Sequence, residues 1–509
     1  MEQNTINSTF RKILGLVQND VSTTLSSENT IAKILCSKAT SVINNFEAIN
    51  GELKFNGTVC FSVVYANELG ELYSMEQSEN FSGKLENEDI SINTCALFKT
   101  DVIELKVNSS SDDVKLVATV ETQVEGLLTE SLNAYASNDE NIITNSNFVN
   151  YTMLSKCDKA SFNFEENFSC KEKIDKILYS KADVKVLDYS LGTDYFTVEG
   201  IIKFNCMYVA GEENKELKQF CKFYKFKEEI ESEGISKDGF MIIRSMINNC
   251  MITTNITEKD DENIVTFSIP VDVHFAYLLS SSHEVVVDAY SLKNKLNLNI
   301  ESFKVADKNI LKCFDEKIDG QLVIDDDAPR IVKIMSCCGE NVSITNSYKN
   351  GDNIVVEGLA SVNVIFMEED DENEKLNSII VEVPFSIENR FDELMEGDDI
   401  TSVAMIKDID CKCKKGKEIN LDLDLTICVN AFSTIEEMAL TGVEAGEALS
   451  PKEACLQIYF ARKGNTLWDI SKGLGAKPEK ILDQNPNINL PLEQDEKIVL
   501  FKGSTNLTD

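Results

Sequence analysis

Nine residues near the start of the chain, IAKILCSKA at 31–39, return as IDKILYSKA at 174–182, an offset of 174 − 31 = 143 positions. The same offset carries Phe46 onto Tyr189 and Gly57 onto Gly200 without a gap. A chain that repeats itself at a domain-sized period folds as copies of one unit, each with its own core. One large core shared by all 509 residues is excluded on size as well. A third copy opens with RIVKIMSCC at 330–338 and has one residue more before its glycine, Gly358.

The residues around these glycines predict the local structure. GTVCFSVVY (57–65), GIIKFNCMY (200–208) and GLASVNVIF (358–366) align. Val59, Ile202 and Ala360 come first, then Phe61, Phe204 and Val362, then Val63, Cys206 and Val364, with Tyr65, Tyr208 and Phe366 last. A period of two describes a strand with one buried face. Cys206 stands where the other copies carry Val, as a small core residue. Before the glycine, Leu53 and Phe55, Phe196 and Val198, and Ile354 and Val356 alternate as a preceding strand. The glycine itself permits a bulge or a close backbone approach. Downstream, Phe81, Phe226 and Phe385 recur as a second apolar anchor. The acidic stretch MEEDDENEK (367–375) reads as a hairpin tip, because it lacks the spaced ligands and turn glycine of a calcium loop. The copies end alike, in LNAYASND around Tyr135 and VDAYSLKN around Tyr290, with a weaker echo, GEALSPKE, near Leu449. The fold class is therefore mainly β: three β-rich modules at 1–148, 149–303 and 304–450, then a small terminal module at 451–509.

Composition narrows the function classes. A formal charge of −37 repels phosphate backbones and anionic lipid, which argues against nucleic-acid and membrane-surface partners. With two histidines, no phosphate loop and no metal-spaced ligand pair, the chain offers no catalytic or metal-ligating residues, and no cofactor is expected. It reads as a protein that is not an enzyme. The N-terminal MEQNTINSTFRKILGLVQND lacks the pattern of a secretory signal, and no apolar run reaches the ~20 residues of a membrane span. The expectation is a cytosolic chain whose 15 cysteines are reduced thiols; Cys337-Cys338 and Cys411-Lys412-Cys413 lack zinc-knuckle spacing.

The terminal module contains the chain's one tryptophan. LQIYFARKG (456–464) suits a strand ending in a turn glycine, and Thr466 to Asp469 approximates a capping box for a helix beginning at Leu467-Trp468. Pro478 suits the first turn of a second helix, Asn485-Pro486 ends it, and EKIVLF (496–501) returns as a strand. The order is βααβ, with Trp468 read as framework. Between 456 and 503 seven Lys/Arg face six Asp/Glu, a net of +1 on an otherwise strongly acidic chain. That difference lets the module meet a partner the body would repel.

Two family resemblances follow from these marks. The K-I-L opening, the alternating run through the glycine and the D-A-Y-S-like ending resemble the SPOCS domain of endospore-forming bacteria, found in spore-coat assemblies. Gly464-Asn465-Thr466-Leu467-Trp468 and Asn485-Pro486-Asn487-Ile488 closely resemble the LysM domain. LysM domains generally bind N-acetylglucosamine-containing glycans, which by resemblance places a groove at Gly464, Asn465, Thr466, Leu467, Asn487 and Ile488. The chain departs from that family at Asn465, where Asp is common, at Asp495 in place of a turn glycine, and at Phe501 in place of a proline. Phe501 is thus a candidate partner contact. The combination resembles the SpoIVA-interacting (SipL-type) family of clostridial spore-coat morphogenetic proteins. That resemblance implies a mother-cell adaptor at the forespore surface that docks a SpoIVA-type coat ATPase, with other coat proteins as further partners. The competing expectation is a peptidoglycan-binding LysM protein of the cortex or wall.

Overall fold

A computed structural model describes residues 4–211, 215–259, 262–325, 327–369, 374–449 and 456–501. The first unit has strands β1 (Asn4–Ser26), β2 (Lys33–Ile49), β3 (Glu52–Ala66), β4 (Leu72–Glu86), β5 (Cys95–Ser109) and β6 (Asp113–Ala134). They form two antiparallel sheets, ordered β2-β3-β4 and β1-β6-β5. Phe55, Val59 and Phe61 from one sheet and Leu14, Leu116 and Val120 from the other share one core, so the unit is a β-sandwich.

The second unit repeats this with β7 (Ile142–Cys170), β8 (Ile174–Leu191), β9 (Tyr195–Ala210), β10 (Glu216–Glu231), β11 (Gly239–Ile247), β12 (Thr253–Lys259) and β13 (Glu262–Ser291). Here β8, β9 and β10 form one sheet, while β13 pairs with β7 on one side and with β11 and β12 on the other. The third comprises β14 (Asn294–Val323), β15 (Ile331–Asn350), β16 (Asn353–Glu369), β17 (Glu374–Arg390), β18 (Asp399–Lys414) and β19 (Glu418–Ala448). Its sheets are β15-β16-β17 and β14-β19-β18. In every unit the opening strand pairs with the closing one, which fastens the two ends of the repeat together.

The glycine at the centre of each copy lies within a strand, not between two: β3, β9 and β16 run straight through Gly57, Gly200 and Gly358. The recurring phenylalanines explain it. Phe81, Phe226 and Phe385 stand directly opposite the three glycines in register. A Cβ on any of them would come within 3.0 Å of that ring and of a neighbouring carbonyl, from Val42, Lys185 or Ser343. Each ring covers the backbone that its glycine leaves bare. Cys206 is fully buried, and burial pushes its thiol up to about 12. The acidic stretch joins β16 to β17 with Glu369 facing Glu374, a hairpin whose tip, 370–373, lies outside the described residues.

The three sandwiches meet through corresponding residues. Leu35, Leu178 and Met335 gather in one cluster with Val64, Met207 and Ile365 and with Leu72, Leu217 and Leu376. Each trio occupies one repeat position, so the units are arranged about an approximate threefold axis. A second cluster joins opening and closing strands of all three, including Ile6, Leu132, Val149, Val285, Phe303 and Ala439. Between the units lies a cavity of about 450 Å³ with Lys38, Lys181, Asp183, Lys185 and Arg244 in its walls. Lys181 and Asp183 pair there at 2.7 Å.

One buried ionic knot binds the units. Glu125 on β6 pairs with Arg11 on β1 at 2.8 Å and with Arg244 on β11 at 3.2 Å. Arg244 also donates to Thr401 on β18, and Arg11 lies over the ring of Phe432 on β19. Burial alone would raise the Glu125 carboxyl, but the two guanidiniums hold it below the usual carboxylate range.

The cysteines depart from the expectation that all are reduced thiols. Cys60–Cys250 and Cys95–Cys157 are disulfides joining the first unit to the second, and Cys313–Cys428 is a disulfide within the third. Sequence separations of 62 to 190 carried no spacing signal; only the docking of sandwiches brings these pairs together. Cys337, Cys411 and Cys413 are half-buried.

Two outcomes follow. Gly200→Ala forces a methyl against Phe226 and is expected to cost about 1–3 kcal/mol in chemical denaturation. Glu125→Gln removes the shared charge between two buried guanidiniums and is expected to cost about 3–5 kcal/mol. Because the folded Glu125 titrates below its unfolded value, its contribution is complete above about pH 4.5 and is lost as pH falls through the folded pKa. The acid-unfolding profile of Glu125→Gln should therefore be flatter than that of the wild type over that range.

Candidate functional site

The last module has strand β20 (Leu456–Ala461), helices α1 (Leu467–Leu474) and α2 (Pro478–Gln484), and strand β21 (Glu496–Phe501). Thr466 caps α1: its hydroxyl accepts the Asp469 N–H, while the Asp469 carboxylate accepts the Thr466 N–H, a reciprocal capping box. Pro478 occupies the first turn of α2. Ile470, Leu474, Ile481, Ile498 and Leu500 form a small separate core.

The turn before α1 is built from its own polar groups. Gly464 takes φ +87°, a conformation that favours glycine. The Asn465 side chain accepts the Arg462 N–H at 2.8 Å. Gly464 N–H donates to the Leu492 carbonyl at 2.8 Å, and Leu492 N–H donates back to the Asn465 carbonyl at 3.0 Å. These bonds fasten the loop following α2 to the first turn. Asp495 joins in by accepting the Lys463 N–H at 2.8 Å. Gly464, Thr466 and Asn487 face solvent, Asn465 is half-buried, and Leu467 and Ile488 pack against the core. The polar side chains of Asn465 and Thr466 are thus engaged within the turn and cap.

Trp468 does not serve as framework inside its module; it reaches another unit. Its indole N–H donates to the Asp288 carboxylate at 2.8 Å, and Lys472 Nζ approaches the same carboxylate at 2.6 Å. The Trp468 and Tyr290 rings lie 5.0 Å apart, a pairing typically worth about 0.5–1.5 kcal/mol. Tyr290 donates its hydroxyl to the Ala476 carbonyl at 2.6 Å. Asp288 and Tyr290 belong to the VDAYS ending of the second repeat, so α1 is docked on β13. Burial would raise the Asp288 carboxyl, but hydrogen bonds from Lys472 and Trp468 bring it below its ordinary value; burial pushes Tyr290 up to about 12. Neither residue stood out as a contact in the repeat alignment. The available signal was an acid at 288 where the first copy has Asn133.

The opposite side of the module is left open. Leu456, Ile458 and Phe460 on β20 and Phe501 on β21 are exposed at 45%, 52%, 70% and 58%. They share one face because Leu456 stands opposite Phe501, Ile458 opposite Val499 and Phe460 opposite Lys497. The outer edge of β21 is closed by side-chain amides: Asn485 exchanges two hydrogen bonds with Val499, and Gln484 two with Phe501.

Trp468 is the chain's one tryptophan, so its fluorescence reports docking. Asp288→Ala is expected to shift its emission to longer wavelength while the thermal transition of the sandwiches stays in place. In the wild type the same red shift should appear only in acid. The folded Asp288 titrates below its unfolded value near 3.8, so the Lys472 pair persists above that pH and is lost as pH falls through the folded pKa.

Among the described residues no helix is long and apolar enough to cross a membrane, and no group of three or more His, Cys, Asp and Glu could hold a metal ion. No curated protein and no solved structure matches the chain. A family model described as SipL, SPOCS domain, matches residues 30–110 and 173–258. The first stretch spans β2 to β5 and the second spans β8 to β12, and their starting points differ by 173 − 30 = 143, the repeat offset. The central strands of the first two sandwiches are therefore similar to the SPOCS domain of the SipL family, a likeness that points to sporulation and coat assembly.

Proposed function

We propose that the protein is a non-catalytic adaptor in spore-coat assembly that docks a SpoIVA-type coat ATPase through its terminal LysM-like module. The observation that carries this reading is the SipL match on two successive sandwiches. The body supplies three similar units, and repeated weak contacts on an assembling surface add up to avidity. The terminal module meets the body through α1 and presents the opposite, apolar face outward. The reading of that module as LysM-like rests on its sequence marks and on the order βααβ.

Protein is favoured over glycan as its ligand. Asn465 and Thr466, two polar members of the sugar groove implied by resemblance, hydrogen-bond within their own turn and cap. The exposed face of the β20–β21 ribbon carries large apolar groups, Phe501 among them.

The full chain, offered immobilised ATPase and insoluble peptidoglycan in parallel, should be retained by the ATPase alone. Phe501→Pro should weaken that retention on the order of tenfold, while Asn465→Asp leaves it unchanged. Retention on peptidoglycan alone would replace the adaptor with the wall-binding alternative.

A further inference from the structure

The two edges of the β20–β21 ribbon are not equivalent. Val499 and Phe501 direct their N–H and C=O groups toward Asn485 and Gln484, away from β20. In an antiparallel pair, residues that bond outward stand opposite residues that also bond outward. Ile458 faces Val499 and Leu456 faces Phe501, so the main-chain groups of Leu456 and Ile458, and of Phe460 by the same alternation, point to the outer edge of β20. Among the described residues no backbone group bonds to that edge. The three residues that offer it also carry the exposed apolar side chains.

An unpaired edge of this kind is a template for strand addition, and proteins normally blunt it with charge, proline or a covering loop. Here 456–461 contains no charged residue and no proline. Cations stand at its far end: Arg462 and Lys463 are exposed, and Lys497 Nζ lies 5.7 Å from the Phe460 ring centroid. A second copy of the chain is a poor occupant, because each copy brings a formal charge of −37.

We infer that the outer edge of β20 binds an extended segment of a partner protein by strand addition, one that alternates apolar residues and ends in acidic ones. The main chain of Leu456, Ile458 and Phe460 provides the hydrogen bonds. The stripe formed by those three side chains with Val499 and Phe501 receives the apolar positions, and Arg462, Lys463 and Lys497 receive the acids. This deepens the adaptor reading and rests on it only for the partner's identity.

The probe is a fluorescein-labelled peptide of alternating valine and threonine flanked by aspartates, titrated into the full chain by anisotropy. Saturable binding is expected, and Ile458→Pro should weaken it on the order of tenfold. That substitution removes an outward N–H and no bond to β21, so the ribbon is kept; unchanged Trp468 emission verifies the fold. A peptide N-methylated on the amides facing β20 should also fail to bind the wild type, which tests the edge without altering the protein. No peptide binding, or equal binding by Ile458→Pro or by the N-methylated peptide, overturns the inference. ATPase retention by the wild type is read separately. A chain that binds peptide but not ATPase keeps the edge and loses the adaptor, and a chain that binds ATPase but not peptide does the reverse.

Discussion

Glu125 is the charge on which the assembly of units depends. Its side chain is 3% exposed, yet it remains ionised because Arg11 comes from the same sandwich and Arg244 from the next. Thr401 and Phe432 of the third sandwich complete the surroundings of those two guanidiniums. A buried carboxylate with two cations is costly to leave half-made, so a partial arrangement of the three units is penalised. The apolar clusters around the axis add area without direction; the knot adds direction. Together with two disulfides between the first and second units, it makes one body of three sandwiches.

Within each sandwich the same economy of parts recurs. A glycine faces a phenylalanine across neighbouring strands, and the ring fills the space the missing side chain leaves. Opening and closing strands pair, so each repeat is tied off at its base. The last module is fastened by a smaller version of the same logic. A partly buried carboxylate, Asp288, accepts from an indole and an ammonium, and a tyrosine hydroxyl bonds back to the main chain. That contact spends one face of the module on the body and leaves the β20 edge outside.

Much of this is legible in the residues alone. Alternation at Val59, Phe61 and Val63 and at their counterparts marked the buried strand faces, and the structure places those residues in the sandwich cores. The capping pair Thr466 and Asp469 and the helix-opening Pro478 were readable because capping is local. Three things were not. The alternating runs flanking each glycine form one strand, since a facing ring many residues away permits the glycine there. The disulfides join residues whose nearness depends on how sandwiches dock. Trp468 reaches outside its module, which no local pattern shows, because Asp288 lies 180 positions upstream.

The sequence by itself determined what local periodicity and repetition can express: three copies of a β-rich unit, buried faces within their strands, and a small capped module of opposite electrostatic character at the end. These follow from side-chain alternation and hydrogen-bond capping, which act over a few residues. Only the tertiary structure decided which copies touch, which cysteines meet, which face of the terminal module is covered and which strand edge stays bare. Those outcomes depend on burying charges and apolar patches from distant segments against one another, and no short-range pattern in the chain records that geometry.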